Sequence, residues 1–238
     1  MGPYGETTRK PGLALAAEAG AHDTIWRLRL RTGVRFHDGS LFNASAVLKN
    51  AARWRAMPEG QALLPGLIAV DAPRPDLVRF IFDEPDRDVV HQLASVRLGL
   101  ISPRVLRSSA VTARLAAGVA AGTGPFELHR RDRQRVLLAR NASWWGTRHE
   151  LGPGVELIDL RFTPGADRRL GLLRRGTVEV AEGLGPAQVT ALHRDPLLTD
   201  QAGAAGTSVG LERSVRDFES TPGAPILSQV WLTTVGTG

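Results

Sequence analysis

Residues 26–49 read WRLRLRTGVRFHDGSLFNASAVLK, and this stretch decides how the rest of the chain is read. Trp26, Leu28 and Leu30 alternate with Arg27, Arg29 and Arg31, the period-two pattern of a strand with one buried face. Thr32-Gly33 interrupts it, and Val34 and Phe36 supply two further apolar positions. Asp38-Gly39-Ser40 turns the chain, because glycine accepts a positive φ without steric cost. Asn43 is placed to cap a helix, its side-chain oxygen accepting an amide that the first turn leaves unpaired. Phe42 before the cap and Val47 inside the helix have the spacing of a hydrophobic staple. Val47, Leu48, Ala51, Ala52 and Trp54 continue as a helical apolar face. Strand, turn and capped helix follow one another in a single short segment.

Working outward, residues 57–64 read as a loop. The runs LIAV (67–70) and LVRFIF (77–82), joined by Pro73, Pro75 and Asp76, read as an antiparallel pair. Asp86 is placed to cap a helix with Val89, Val90, Leu93 and Ala94 on its face. Residues 98–101 read as a short strand ended by Ser102-Pro103, and 104–121 as helix limited by Gly118 and Gly122. A second motif follows: Gly122-Thr123-Gly124-Pro125-Phe126 enters a strand over 126–130. Asp132-Arg133-Gln134 turns it, RVLLAR (135–140) returns, and NASWWG (141–146) closes the unit. Residues 158–162 form a further strand. A helix carrying Leu170, Leu172 and Leu173 follows, with Gly176 at its C′ position. Residues 178–181 read as strand and 186–193 as helix. The expected core includes Trp26, Leu28, Phe36, Phe80, Phe82, Phe126, Leu128, Leu137, Leu160 and Phe162. As core residues, Trp26→Ala or Phe126→Ala would each cost about 3–5 kcal/mol.

A chain of 238 residues buries roughly 70–75% of its unfolded surface on folding, so a sizeable core is available. Hydrophobic content of 42% with 23% charged residues is that of an ordinary globular protein. No apolar run has the length of a membrane span, and the first residues, MGPYGETTRKPG, lack the apolar core of a secretory signal. Cysteine is absent, which removes disulfides, thiol nucleophiles, cysteine metal sites and a lipid-attachment cysteine. The charge of +6 and a pI near 11.0 raise nucleic-acid binding as a reading. Against it, arginines are spread through every segment, and no run interleaves aromatic with basic residues.

Enzyme constellations fare no better. His22-Asp23 and His37-Asp38 spell a metal-hydrolase dipeptide, but one precedes a strand and the other lies in a glycine turn, not on a ligand-bearing helix. Gly122-Thr123-Gly124 is too short for a phosphate loop and no Gly-Lys-Ser/Thr follows it. The chain is read as having no nucleophile elbow. The acidic group Asp83, Glu84, Asp86 and Asp88 fits a solvated loop and a helix N-terminus. No catalytic residue, metal ligand or cofactor is therefore expected.

The pattern W-x-L-x-L-R-x-G-V-x-F-H-D-G-x-x-F-N-A, carried by residues 26–44, resembles the signature region of the family 5 extracellular solute-binding proteins. These are the dipeptide, oligopeptide and nickel-complex receptors of ABC importers. The G-T-G-P-F entry, hairpin and N-x-x-W-W-G exit resemble the same family, with Trp144-Trp145 standing where members carry an aromatic pair. Pro11 to Ala16 is a counterpart of its "P-x-L-A" phrase. Asp167, Leu173 and Gly176 fit a later motif in which Glu179 replaces an aspartate. The resemblance runs over roughly residues 11–200 and then stops in a segment rich in Thr, Ser, Gly and Pro.

What the resemblance implies is an α/β, periplasmic-binding-protein-like fold (type II, peptide-binding subclass), truncated, with mixed sheets and flanking helices. Residues 1–102 would form a small extra domain and the start of the first lobe, and 103–202 part of the first large α/β lobe. Residues 203–238 would be a poorly ordered tail. The implied function is non-enzymatic solute binding for an ABC permease, outside the cytoplasm, with a peptide or small-molecule ligand and no nucleic acid. The expected chain is a fragment lacking the second lobe. Arg97, next to the expected lobe crossover, and Trp144 and Trp145 are the candidate ligand contacts. The alternatives are a truncated relic that binds nothing and a basic nucleic-acid-associated protein.

Overall fold

The structure, a computed structural model, describes residues 12–107, 121–146 and 155–192, and the backbone of 198–203 and 206–211. The chain divides into two compact units. Among the described residues the first holds 12–107, 121–125 and 141–146, and the second holds 126–140, 155–192 and the strands within 198–211.

The first unit is a four-stranded antiparallel sheet under a helix. Its strands β1 (Ala14–Ala19), β2 (Ile25–Leu30), β3 (Leu67–Arg74) and β4 (Leu77–Phe82) lie in the order β1-β2-β4-β3. The register puts Ala19, Trp26, Phe80 and Val70 in one row across the sheet, and Glu18, Arg27, Arg79 and Asp71 in the next. Strand alternation then sends Trp26, Phe80 and Val70 inward and the second row to the outer face, while Ala19, at the end of β1, is exposed. Across that face Arg79 grips Asp71 with two hydrogen bonds, of 2.8 and 2.5 Å.

Helix α1 (Ala44–Arg55) starts as its sequence dictates, with Asn43 Oδ1 accepting the Ala46 amide at 3.1 Å. Its buried stripe is Ala46, Val47, Asn50, Ala51 and Trp54, the i, i+1, i+4 spacing of one helical face. The stripe joins Leu28, Leu30, Val78, Phe80 and Phe82 in one core. Val34, Phe36 and Phe42 belong to it too, with the two phenylalanine rings edge to face at 6.2 Å.

Two local readings change in this unit. Residues 57–64 are not a loop: Pro58–Leu63 is a short helix, α2, with Pro58 pre-organised at its first position. Gly60 is obligatory there, since a Cβ would sit 2.1 Å from the Trp54 carbonyl oxygen. Residues 98–101 are not a strand. Val96–Leu98 is a 3-10 turn, and the run after it is held by Asn50, whose amide donates to Ile101 O and accepts from Ile101 N, both at 2.9 Å. One buried side chain thus replaces a neighbouring strand. The expected helix over 104–121 is described only at α4 (Pro103–Leu106), residues 108–120 lying outside the described residues. Before the 3-10 turn comes α3 (Val89–Leu93), with Asp86 bonded to the Asp88 amide and the Gln92 side chain. Ser102, where the sequence reading puts a change of lobe, is fully buried within this unit.

In the second unit β5 (Phe126–Arg131), β6 (Arg135–Arg140) and β7 (Leu157–Arg161) form an antiparallel sheet. Its hub is Asp159, a fully buried carboxylate that takes two hydrogen bonds from Arg135, at 2.6 and 2.7 Å, and is approached by Arg161 at 3.2 Å. The hydrogen bond to Asp159 raises the pKa of Arg135. The sheet's apolar residues Phe126, Leu128, Leu137 and Leu160 are half-buried, as is Trp26 in the other unit. Phe162 departs from expectation: it follows the end of β7 and is 39% exposed.

Helix α5 (Ala166–Arg174) packs Leu170 and Leu173 against Val178, Ala181 and Leu184 of the following segment and Leu192 of α6 (Pro186–Leu192). Its end is a Schellman cap: Thr177 N donates to Leu172 O at 3.0 Å and Gly176 N to Leu173 O at 2.9 Å, with Gly176 at φ +64°. The expected strand at 178–181 lies slightly later, as β8 (Val180–Leu184). A sheet β8-β10-β9 adds β9 (Leu198–Gly203) and β10 (Gly206–Leu211). Gly206–Leu211 falls in the segment expected to be loosely attached and is the middle strand here; residues 212–238 lie outside the described residues. Gly206-Thr207-Ser208-Val209-Gly210 does spell the G-x-S-x-G of a nucleophile elbow, which the motif reading passes over. The structure puts all five residues inside β10, whereas an elbow needs a sharp strand-to-helix turn.

Two substitutions test this packing by chemical denaturation. Phe80→Ala, at a side chain only 1% exposed, is expected to cost about 3–5 kcal/mol, more than Trp26→Ala or Phe126→Ala at their half-buried sites. Gly176→Ala is expected to cost about 1 kcal/mol, since alanine must adopt the left-handed cap.

Candidate functional site

The first unit brings the two sequence motifs together. The turn at 36–40 forms because Phe36 N donates to Ser40 O and Gly39 N to Phe36 O, with Gly39 at φ +79°. His37 then reaches the glycine turn of the second motif twice. Its amide donates to Gly122 O at 2.8 Å, and its Nε2 lies 3.0 Å from Gly124 O, a contact that requires the proton on Nε2. Asn141 closes the same turn from the other side, with N to Pro125 O at 2.8 Å and Nδ2 to Gly124 O at 3.2 Å. Trp145 Nε1 donates to Thr123 O at 3.2 Å.

Asp38 is the polar centre of the first motif. Oδ1 accepts from the Ser40 amide at 3.0 Å and the Ser40 hydroxyl at 2.6 Å, and Oδ2 accepts a short hydrogen bond from Ser102 Oγ. Ser102 also takes the Arg104 amide on its Oγ and donates its own amide to Ala121 O. Burial pushes the Asp38 carboxyl up, but the hydrogen bonds from Ser102 and Ser40 and the charge of Arg104 hold it below the usual carboxylate value. This is a structural carboxylate. Among the described residues neither serine hydroxyl is hydrogen-bonded to a histidine, and the His37 ring is committed to a backbone carbonyl.

The tryptophans lie beside this junction. Trp144 and Trp145 are both half-buried, with ring centroids 5.2 Å apart at an interplanar angle of 53°. The Arg31 guanidinium stands 4.5 Å over the Trp145 ring and donates through Nε to Gly12 O at 3.1 Å. Such a contact contributes about 0.5–2 kcal/mol. Trp145 packs on the main core, while Trp144 lies over Gly146, where a Cβ would sit 2.3 Å from the ring. Arg97 is on the 3-10 turn at 96–98, exposed beside Val96, and among the described residues its guanidinium has no ion-pair partner. The structure thus pairs Trp144 with Trp145, and the guanidinium over the Trp145 ring is that of Arg31 rather than Arg97. Arg31, His37, Thr123 and Asn141 are junction residues that sequence reasoning does not assign to a site; it meets His37 in a metal-hydrolase dipeptide and in a family motif, with no partner named.

The chain belongs to the bacterial extracellular solute-binding proteins, family 5, whose middle-region model matches residues 8–218. The match therefore continues past residue 200, where the motif resemblance stops. The chain is 26% identical over 178 residues to the glutathione-binding protein GsiB of Escherichia coli (strain K12), covering 71% of this chain and 33% of that protein. It is 26% identical over 219 residues to probable di/tripeptide-binding protein 5 of Pseudomonas aeruginosa (strain UCBPP-PA14), covering 82% and 40%. Among solved structures, the periplasmic binding protein DppA from Helicobacter pylori, in complex with peptide STSA, has a TM-score of 0.69. Its identity is 22% over 82% of this chain and 42% of that one. NikA from Brucella suis, in complex with Fe(III)-EDTA, has a TM-score of 0.70 at 21% identity over 80% and 39%. The fold is that of the peptide-class periplasmic binding proteins, and the chain spans between 33% and 42% of the length of these relatives.

The Asp38 junction makes stability depend on pH with a definite sign. Its folded pKa is lowered, so its contribution is complete at neutral pH. The contribution is lost as the pH falls below the unfolded value of about 3.9 and through the folded one. Asp38→Asn is expected to lower stability by about 1–2 kcal/mol at neutral pH. Melting curves of both proteins should converge toward pH 3, and a gap that stays constant would contradict the assignment.

Proposed function

We propose that this chain is the ligand-holding part of an ABC importer for peptides or related small solutes, working outside the cytoplasm and passing its ligand to a membrane permease. The observation that carries the reading is the family match over residues 8–218, which embraces both motifs of the turn junction. The ligand class is inferred from relatives named for glutathione and di- or tripeptides, and from a neighbour that holds a peptide. The location follows the family's description as extracellular; among the described residues no helix is long and apolar enough to cross a membrane.

In this reading the protein performs no covalent chemistry, and its groups need only hold and release. The Trp144–Trp145 pair offers ring faces to an apolar side chain, and the Arg97 fork suits a terminal carboxylate. Residues 1–102 are assigned to a small extra domain and the start of the first lobe, and 103–202 to part of the first large lobe. A nucleic-acid role is not favoured. Arg79, Arg87, Arg135, Arg140 and Arg161 are each tied to a carboxylate rather than gathered in an open basic patch.

Calorimetric titration with di- and tripeptides and glutathione tests this. Sites of this kind enclose about 70–90% of a ligand's surface. Contacts from residues spanning 33–42% of a relative's length leave much of the ligand wet while the association entropy is still lost. Saturable binding weaker than micromolar is expected, reduced in Trp144→Ala and Arg97→Ala. Micromolar or tighter one-to-one binding would show that this chain alone makes a complete site. No response up to the solubility limit would overturn the peptide-facing role of these residues.

A further inference from the structure

A groove of about 310 Å³ opens in the first unit, where the end of α1, helix α2 and the start of β3 meet residue 83. It is separate in sequence from the turn junction and the tryptophan pair. Its apolar base includes Trp54 and Leu64, each only 3% exposed, with Leu67 beside them. Arg55, Gln61 and Asp83 line the rest with polar groups. The volume is at the lower end of the roughly 300–1,000 Å³ found for small-molecule sites.

The polar groups are arranged with some insistence. Asp83 and Arg55 are both exposed, and among the described residues neither carries an ion pair. The Asp83 carboxylate lies over Gly66: a Cβ there would meet Oδ1 at 2.1 Å, and Gly66 also holds φ +70°. Its main chain is tied back as well, Asp83 N donating to Gly66 O at 3.0 Å. Gln61 bridges to α1 through a 2.8 Å hydrogen bond from Nε2 to Arg55 O. At the base, the Trp54 indole nitrogen is closed off from solvent and has no acceptor among the described residues. A buried indole N–H ordinarily has one.

We propose that this groove is a binding site for a small zwitterion with an apolar side chain, the chemistry of a free apolar amino acid. An ammonium group pairs with Asp83, a carboxylate with Arg55, and the side chain covers Trp54, Leu64 and Leu67. Two unpaired charges of opposite sign on one small groove favour a zwitterion over a plain cation or anion, since a singly charged ligand meets one like charge. The volume leaves room for about one residue rather than an extended peptide. The proposal does not rest on the peptide-binding reading above, because it uses none of the same residues.

The test follows the indole N–H signals of the full 15N-labelled chain by NMR during titration with L-leucine and L-phenylalanine. Trp54→Phe, or triple-resonance assignment if that variant does not fold, identifies the reporting signal. The expected result is a saturable shift of the Trp54 signal at millimolar ligand. Asp83→Asn, Arg55→Gln, N-acetylation of the ligand and esterification of its carboxylate should each weaken it at least about 10-fold. Unchanged melting curves confirm that the two variants fold. No shift with either amino acid overturns the proposal. So does a shift that survives both substitutions, or one given equally by the acetylated and esterified ligands.

Discussion

The structure of the first unit depends on satisfying the backbone of a glycine turn that has almost no side chains of its own. Gly122, Thr123 and Gly124 present carbonyls that a half-buried turn cannot leave unpaired. His37 takes two of them, Asn141 shares one, and Trp145 takes the third. Asp38, one residue from His37, fixes the opposite side by holding Ser40 and Ser102 at once. The motif residues therefore act on one another. They set where Trp145 lies and give Arg31 a ring to cover.

Legibility follows the range of the interaction. Asn43 capping α1, Gly39 in its turn and Gly176 ending α5 were readable because each is decided within four or five residues. Strand β1 was not recognised as a strand: ALAAEA has no β-branched residue, and it is extended because β2 offers it a partner edge. Residues 98–101 have strand composition, but their partner is the side chain of Asn50, about fifty positions earlier, so pattern alone misnames them. Phe162 alternates correctly with Leu160 yet lies just past the end of β7, and alternation ceases to mean burial there.

The candidate site shows the same division. The Trp144–Trp145 pair was visible because the two are adjacent. His37 binding Gly124 spans 87 residues and leaves no local trace. The family resemblance located His37 by position without revealing what it bonds to. Arg97 was chosen for nearness to an expected crossover, and an exposed guanidinium on a short turn is all that the position shows.

The chain leaves the first unit after Pro125 and returns at Asn141, and one hydrogen bond, Asn141 N to Pro125 O, ties departure to return. That arrangement orders events during synthesis. The four-stranded sheet has all its strands once residue 82 has emerged, but the glycine turn must wait for Asn141 and Trp145. What lies between is the β5–β6 hairpin, whose own closure takes about 1–10 μs, against roughly 5–20 residues added per second. Once emerged, the hairpin folds back long before further residues are added, so it brings Asn141 to Pro125 as soon as Asn141 has emerged. The pairing of β5 with β6 thereby sets when the chain on either side of it can close.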